Sequence, residues 1–343
     1  ILERPVNLEC KVKEVIPLGT HDMFIAEIAA VRIDDKYMNE TGKRNKIMII
    51  GAAILDVLVS PAEKEVFETG SSPAEDIRIS FGGDAMNEAS VLAALGKKVY
   101  LETVIGNDAE GRMIQNRCEE LGIELCDKVS REEMRTGVNV VLVQKNGERN
   151  FLTNRNGSLR KLKLEDIRRP YPEDIGILCF ASIFVFPEIG KKELVKIFQQ
   201  AKEQEIIICA DMTKRKKGET VEDLAEALSY VDYLIPNEEE VFLLTGEKNV
   251  EEAANVLHQV GIKHVIIKCG SRGCYVSSKD KKMQIPAVEG IRPVDTTGAG
   301  DSFAAGFIYG LSQGWSLEES ARFGNECGAR AVQQIGATTW ITM

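Results

Sequence analysis

The chain has 343 residues, 44% of them hydrophobic and 28% charged, with a formal net charge of −10. That composition fills a sizeable core, while the excess of acid repels phosphate backbones and argues against a nucleic-acid partner. No apolar run reaches the ~18 residues of a membrane span, and Glu3, Arg4 and Glu9 interrupt any apolar signal core, so no membrane partner is expected.

The eight cysteines, Cys10, Cys118, Cys126, Cys179, Cys209, Cys269, Cys274 and Cys327, form no C-x-x-C pair, and several sit in apolar runs such as "ILCF" and "IIICAD". They read as reduced core thiols in a cytoplasmic protein. His21, His258 and His264 are the three histidines, too few to support a histidine metal site or a Ser-His-Asp triad, and none is given a role.

Residues 1–46 read apart from the rest. "CKVKEVIPLGTHDMFIAEIAAVRIDD" predicts two strands around a loop, and the polar "KYMNETGKRNK" predicts a boundary. "KIMIIGAAILDVLV" then opens a new pattern as one continuous buried strand. "DAMNEASVLAALG" predicts a helix stopped by Gly96, "KKVYLETVIG" a strand and "AEGRMIQNRCEELG" a helix. "GVNVVLVQKNGERNFLT" predicts a hairpin turning at Asn146-Gly147. "IGILCFASIFVF", "EIIICAD", "VDYLIP" and "KHVIIKCGSRGCYV" supply further strands, separated by "GKKELVKIFQQAKEQ" and a short helix after Pro236. Two helices close the chain. Such alternation implies an α/β fold with a doubly wound, mostly parallel sheet, whose ligands bind at the carboxyl ends of the strands.

"VDTTGAGDSFAAGF", residues 294–307, joins a strand-like segment to a helix. Glycines let the backbone approach a ligand closely, and the first N–H groups of a helix favour an anion, here at Ala299, Gly300 and Asp301. Asp301 reads either as a helix N-cap or as a base. In the second reading it takes a proton from a substrate hydroxyl while the amides hold the phosphoryl group under attack.

"DTTGAGDSFAAGF" closely resembles the C-terminal signature of the ribokinase-like (PfkB) carbohydrate kinases. "GGDAMNEASVLAALG" resembles their N-terminal signature, "PNEEE" their N-x-x-E motif and "CGSRG" their nucleotide loop, all in the family's order over about residues 47–343. The resemblance implies a three-layer ribokinase-like domain with a small β-lid from about 60–80 and 134–155, paired between subunits as a homodimer. It implies ATP-dependent phosphorylation of a hydroxymethyl group of a sugar or related small molecule. Asp301 would be the general base and Gly298, Ala299 and Gly300 the anion hole. Asp56, Gly83 and Asn87 would hold the sugar. Asn237, Glu240, Ser271, Gly273 and Asn325 would hold ATP, with Mg²⁺ reached by Glu240 through water. Asp295 and Thr297 would form a K⁺ loop completed around Val332 to Ala337.

The match has departures. Asp84 stands where ribokinases carry Lys, "CFASIF" lacks a nearby acid, and "DMTKRK" lacks the Pro and Asn of the related fructokinase segment. Arg215 in that loop reads either as a phosphate contact or as part of a solvated basic loop. Residues 5–43 resemble a fragment of the flavin reductase-like FMN-binding split barrel, with most of that barrel missing, and are expected to be non-functional. A nucleoside or sugar-acid kinase, a non-catalytic nucleotide or sugar-binding regulator and a flavin-dependent redox protein are the competing readings.

Overall fold

The computed structural model describes residues 6–17, 22–33, 44–63, 66–127, 129–144 and 149–341. The chain divides into two units, Ile1–Asn45 and Lys46–Met343. In the first, Val6–Pro17 pairs antiparallel with Asp22–Ile33. His21 lies outside the described residues.

The second unit is built on a nine-stranded sheet. Its strands are β1 (Lys46–Ile50), β4 (Lys98–Glu102), β5 (Ile123–Leu125), β8 (Ile175–Ile183), β9 (Ile207–Met212), β10 (Tyr233–Leu234), β11 (His264–Lys268), β12 (Cys274–Ser278) and β13 (Lys282–Ile285). They lie in the order β13-β12-β11-β10-β9-β8-β1-β4-β5, parallel except at β12 and β13. Every residue of β1 is buried, as expected of a parallel strand covered on both faces.

The run "KIMIIGAAILDVLV" is two strands rather than one. β1 ends before Gly51, whose Cβ position is 2.7 Å from the Ala85 Cβ, and Gly51 N–H closes the edge on Glu102 O at 3.0 Å. The chain then leaves the large sheet and β2 (Ile54–Ser60) starts a second one. "KKVYLETVIG" is likewise split: after Glu102 the chain turns away, and Ile105–Gly106 pairs with Ser130–Arg131 instead.

The second sheet has the order β7-β6-β2-β3, with β3 at Asp76–Gly82, β6 at Val138–Val143 and β7 at Arg149–Thr153. Its first strand therefore begins at Ile54 rather than near residue 60. β6 and β7 pair antiparallel, as a hairpin requires; the Asn146-Gly147 turn lies outside the described residues. β2 and β6 are parallel, and their register sets Asp56 beside Asn139.

After a single helical turn at Val66–Thr69, the longer helices of this unit begin with α1 (Asp84–Ala94) and α2 (Ala109–Leu121). They continue with α3 (Lys191–Glu203), α4 (Val221–Leu228), α5 (Glu238–Thr245) and α6 (Val250–Gln259), and end with α7 (Ala299–Ser312) and α8 (Leu317–Ala331). The Ala- and Gly-rich α7 packs closely on α1 and α8. A Cβ at Gly306 would lie 2.8 Å from the Cys327 Sγ, so glycine is what lets α8 approach. Seven cysteines, Cys118 to Cys327, are free thiols buried in the core, as expected. Among the described residues no helix is long and apolar enough to cross a membrane.

Candidate active site

The N-termini of α1 and α7 meet. Asn87, in the first turn of α1, donates Nδ2–H to Asp301 Oδ2 at 2.7 Å. Gly298, not Asp301, precedes the first helical residue of α7, so the N-cap reading of Asp301 is overturned and its carboxylate is left for other work. Withdrawal from water, with the nearby Asp84 carboxylate, pushes Asp301 up to about 8, and the Asn87 bond opposes that rise. An acid at such a pKa matches a group that must accept a proton near neutrality.

Gly298 adopts φ 71°, and a Cβ there would stand 2.4 Å from the Ala337 Cβ. Only glycine makes this turn. The Ala299 N–H is already engaged by Thr296 O at 3.3 Å, which leaves the first-turn amides of Gly300 and Asp301 as the ones open to an anion.

Beside them lies a cavity of about 600 Å³, lined by Lys268, Ser271, Gly273, Ala299, Gly300 and Asn325 among others. Ser271 sits in the Gly270–Arg272 turn, and Asn325 donates to Pro286 O at 3.0 Å. Gly273 has φ 85° with its Cβ position 2.0 Å from Ile285 O, so the glycine there serves the backbone path between β11 and β12. Asn237 and Glu240 cap α5 reciprocally: Glu240 N–H donates to Asn237 Oδ1 at 2.9 Å, and Asn237 N–H donates to Glu240 Oε2 at 2.8 Å. Burial raises the Glu240 carboxyl, against the pull of Lys268.

Asp56, a charged neighbour of Asp84, accepts from Asn139 Nδ2 at 3.0 Å, and Asn139 Oδ1 accepts from Thr153 at 2.8 Å. Gly82 makes room, since a Cβ there would fall 2.1 Å from Asp56 Oδ2. Gly83, at φ 91°, would set a Cβ 2.4 Å from Ala52 O; its part is to bring α1 against the chain after β1. Asp84 accepts from the Ser182 hydroxyl, and burial raises its carboxyl. The structure thus gathers Asp56, Gly83, Asn87 and Asp301 at one place where the two sheets meet.

Asp295 departs from expectation. Its carboxylate is ion-paired with Arg149 of β7 and accepts from the N–H groups of Thr297 and Gly336, each at 2.7 Å. Despite desolvation, these partners hold it below the usual carboxylate range. A guanidinium already stands at the carboxylate assigned to K⁺, so the geometry gives potassium no support. Arg215 donates to Glu219 O at 2.8 Å, within its own loop, which fits the solvated-loop reading.

Lys268, Asp211, Asn139 and Arg149 escaped the sequence reading. Lys268 and Asp211 could have been suspected, because each is a lone charge at or next to the end of an apolar parallel strand ("VIIK", "ICADM"). Asn139 and Arg149 carry no comparable signal, since only strand pairing brings them to the site.

The pfkB family carbohydrate kinase model matches residues 44–342. The chain belongs to that family. It is 28% identical to a ribokinase of Haemophilus influenzae over 87% of this chain and 95% of that one. It is 29% identical to a cytidine kinase of Thermococcus kodakarensis over 84% and 97%. Among solved structures, Arabidopsis thaliana ribokinase complexed with ribose and ATP superposes with a TM-score of 0.71 at 26% identity, covering 86% of this chain and 95% of that one. The family match begins at residue 44, and the flavin reductase-like reading of residues 5–43 is not borne out.

Proposed function

We propose that this kinase moves the terminal phosphoryl group of ATP to a hydroxymethyl group of a neutral, polyhydroxylated acceptor. The observation that carries the reading is the Asn87–Asp301 bond at the mouth of the Gly298–Asp301 turn. It sets a base with a raised pKa beside free helix amides.

Asp301 accepts the hydroxyl proton, and the amides of Gly300 and Asp301 hold the phosphoryl oxygens in line. Asp56 and Asn87, a carboxylate and an amide, bind neighbouring hydroxyls of the acceptor. Asp56, Asp84 and Asp301 crowd one side of the site, which opposes a sugar acid and favours a sugar or nucleoside. The cavity bounded by Ser271, Gly273 and Asn325 takes the nucleotide. The oxygen donors at this end suit Mg²⁺ held mostly by phosphates and water, with Glu240 and the Asn237 cap behind it. When bound, Mg²⁺ supplies charge neutralisation at the phosphates.

The β7-β6-β2-β3 sheet would act as the lid, with Arg149 reaching from it to Asp295. Ile77, Ile79 and Leu152 stand exposed on one face of that sheet and supply an apolar patch for pairing with a second copy. The buried thiols suit a reducing cytoplasm.

The test is ADP release with ATP and Mg²⁺ across ribose, fructose, ketodeoxygluconate, adenosine, cytidine and pseudouridine, with the Asp301→Asn variant alongside. Turnover of a neutral acceptor that vanishes in the variant is expected. Turnover of ketodeoxygluconate alone would reject the neutral-acceptor reading, and a binding protein without turnover would reject the kinase reading.

A further inference from the structure

Lys268 ends β11 inside the site, with its side chain only 14% exposed, and its ammonium is ion-paired with Asp211, the penultimate residue of β9. β9 and β11 run parallel on either side of β10, and both charges stand at the carboxyl edge of the sheet, where this class of fold binds ligands. A purely structural partner for Asp211 would point its nitrogen at that acid and no further. Lys268 does more: its Nζ stands 3.4 Å from the position a Cβ would take on Gly300. The ammonium therefore lies beside the residue whose amide faces the anion site. It also borders the nucleotide-sized cavity.

An ammonium has three N–H donors. Among the described residues Asp211 is its one hydrogen-bond acceptor, so donor capacity is left over toward the cavity. Burial alone would lower the Lys268 pKa, but Asp211, Glu240 and Asp301 outweigh it and the nitrogen stays charged. Around it stand three acids, Asp211, Glu240 and Asp301, and a bound polyphosphate adds more negative charge. A fixed cation is what lets an anionic group enter such a cluster.

We propose that Lys268 is a catalytic residue that holds the transferring phosphoryl group against the Gly300 turn, and that Asp211 is the positioning residue that aims it. The proposal rests on the kinase reading above. In the step, the acceptor oxygen forms its bond to the terminal phosphorus as the bridging bond to ADP breaks. The electron pair leaves on the β-phosphate of ADP and the hydroxyl proton passes to Asp301. Lys268 gains and loses no bond; it offsets charge on the oxygens of the group in flight.

The test compares ATP with ADP as ligands, so that it reads the phosphoryl site whether or not an acceptor has been found. Lys268→Met should weaken ATP by about 10- to 100-fold, the size of a hydrogen bond to a charged group, and leave ADP within about threefold. Lys268→Arg should restore part of the ATP preference. Because Lys268→Met strands the Asp211 carboxylate, the Lys268→Met/Asp211→Asn double variant is measured in parallel as the better-folded form. Asp211→Asn alone should bring the alkaline loss of ATP preference to lower pH, since Lys268 then loses its main anionic partner. An ATP-to-ADP affinity ratio unchanged from the parent in a folded Lys268→Met or double variant would overturn the proposal. A parent that shows the ratio but phosphorylates none of the acceptors would count against the acceptor assignment instead.

Discussion

Asn87 Nδ2 lies 2.7 Å from Asp301 Oδ2, and this bond ties together two helices whose residues are 214 apart in the chain. It favours the charged form of an acid that its surroundings push toward the neutral one. Replacing Asp301 by Asn should remove the base and lower kcat by about 10²- to 10⁴-fold. Replacing Asn87 by Ala should raise the Asp301 pKa further, moving the acid limb of kcat/KM to higher pH. Steady-state rates from pH 5 to about 9 check both, and an acid limb near the ordinary Asp value of ~3.9 would contradict the raised pKa.

Stability should carry the same signature. Asp301 and Glu88 both have folded-state pKa values above their unfolded ones, through burial first and nearby carboxylates second. Glu88 is wholly buried, and the neighbouring Cys179 thiol only partly offsets the rise. Between the unfolded and folded pKa the native state binds more protons than the unfolded state, so stability falls as pH rises through that window. Asp301→Asn should flatten this decline between pH 4 and about 8, and Glu88→Gln should flatten it above the ordinary glutamate range. Melting curves without ligand measure it, and a parent protein that gains stability across that range would contradict the assignment.

Arg149 makes a prediction about ions. Turnover should be the same in K⁺ and Na⁺ buffers of equal ionic strength, because the Asp295 carboxylate already has a guanidinium against it. Arg149→Ala removes one charged hydrogen bond and should cost about 1.5–3 kcal/mol, less than a stranded charge, since the Thr297 and Gly336 amides remain. Denaturant unfolding reads the second part. A strong K⁺ activation of the parent would show that Arg149 does not take the cation's place.

Gly298 and Gly300, two residues apart, should behave differently. Gly298→Ala faces a positive φ and the Ala337 Cβ at 2.4 Å, a strain of about 1–3 kcal/mol, and should lower the melting temperature. Gly300→Ala sits in ordinary helix and meets only the flexible Lys268 tip at 3.4 Å. It should fold normally yet lose most of its ATP affinity, by crowding the phosphoryl position. Melting temperature and ATP titration of the pair separate the two roles.

Much of this was legible in the primary structure because the signals were local. The turn at 298–301, the Asn237–Glu240 cap and the apolar strands each announce themselves within a few residues. The break at Gly51 was not legible, since its cause is Ala85 packing on a residue far along the chain. Asn139 was missed for the same reason: its neighbour Asp56 is found only through the parallel pairing of β2 and β6. Asp295 was assigned to a cation because its loop reads alike with or without Arg149, and nothing near residue 295 discloses a guanidinium arriving from β7.

The seven buried thiols carry a consequence of their own. Cys118, Cys126, Cys274 and Cys327 are each pushed up to about 12 by burial, so at neutral pH they are protonated as well as hidden, and doubly slow to alkylate. A thiol reagent will therefore tag a given cysteine at the rate at which its part of the fold opens. Mapping the tagged positions with and without nucleotide turns an accident of core packing into a set of built-in clocks, one in each of several regions of the molecule.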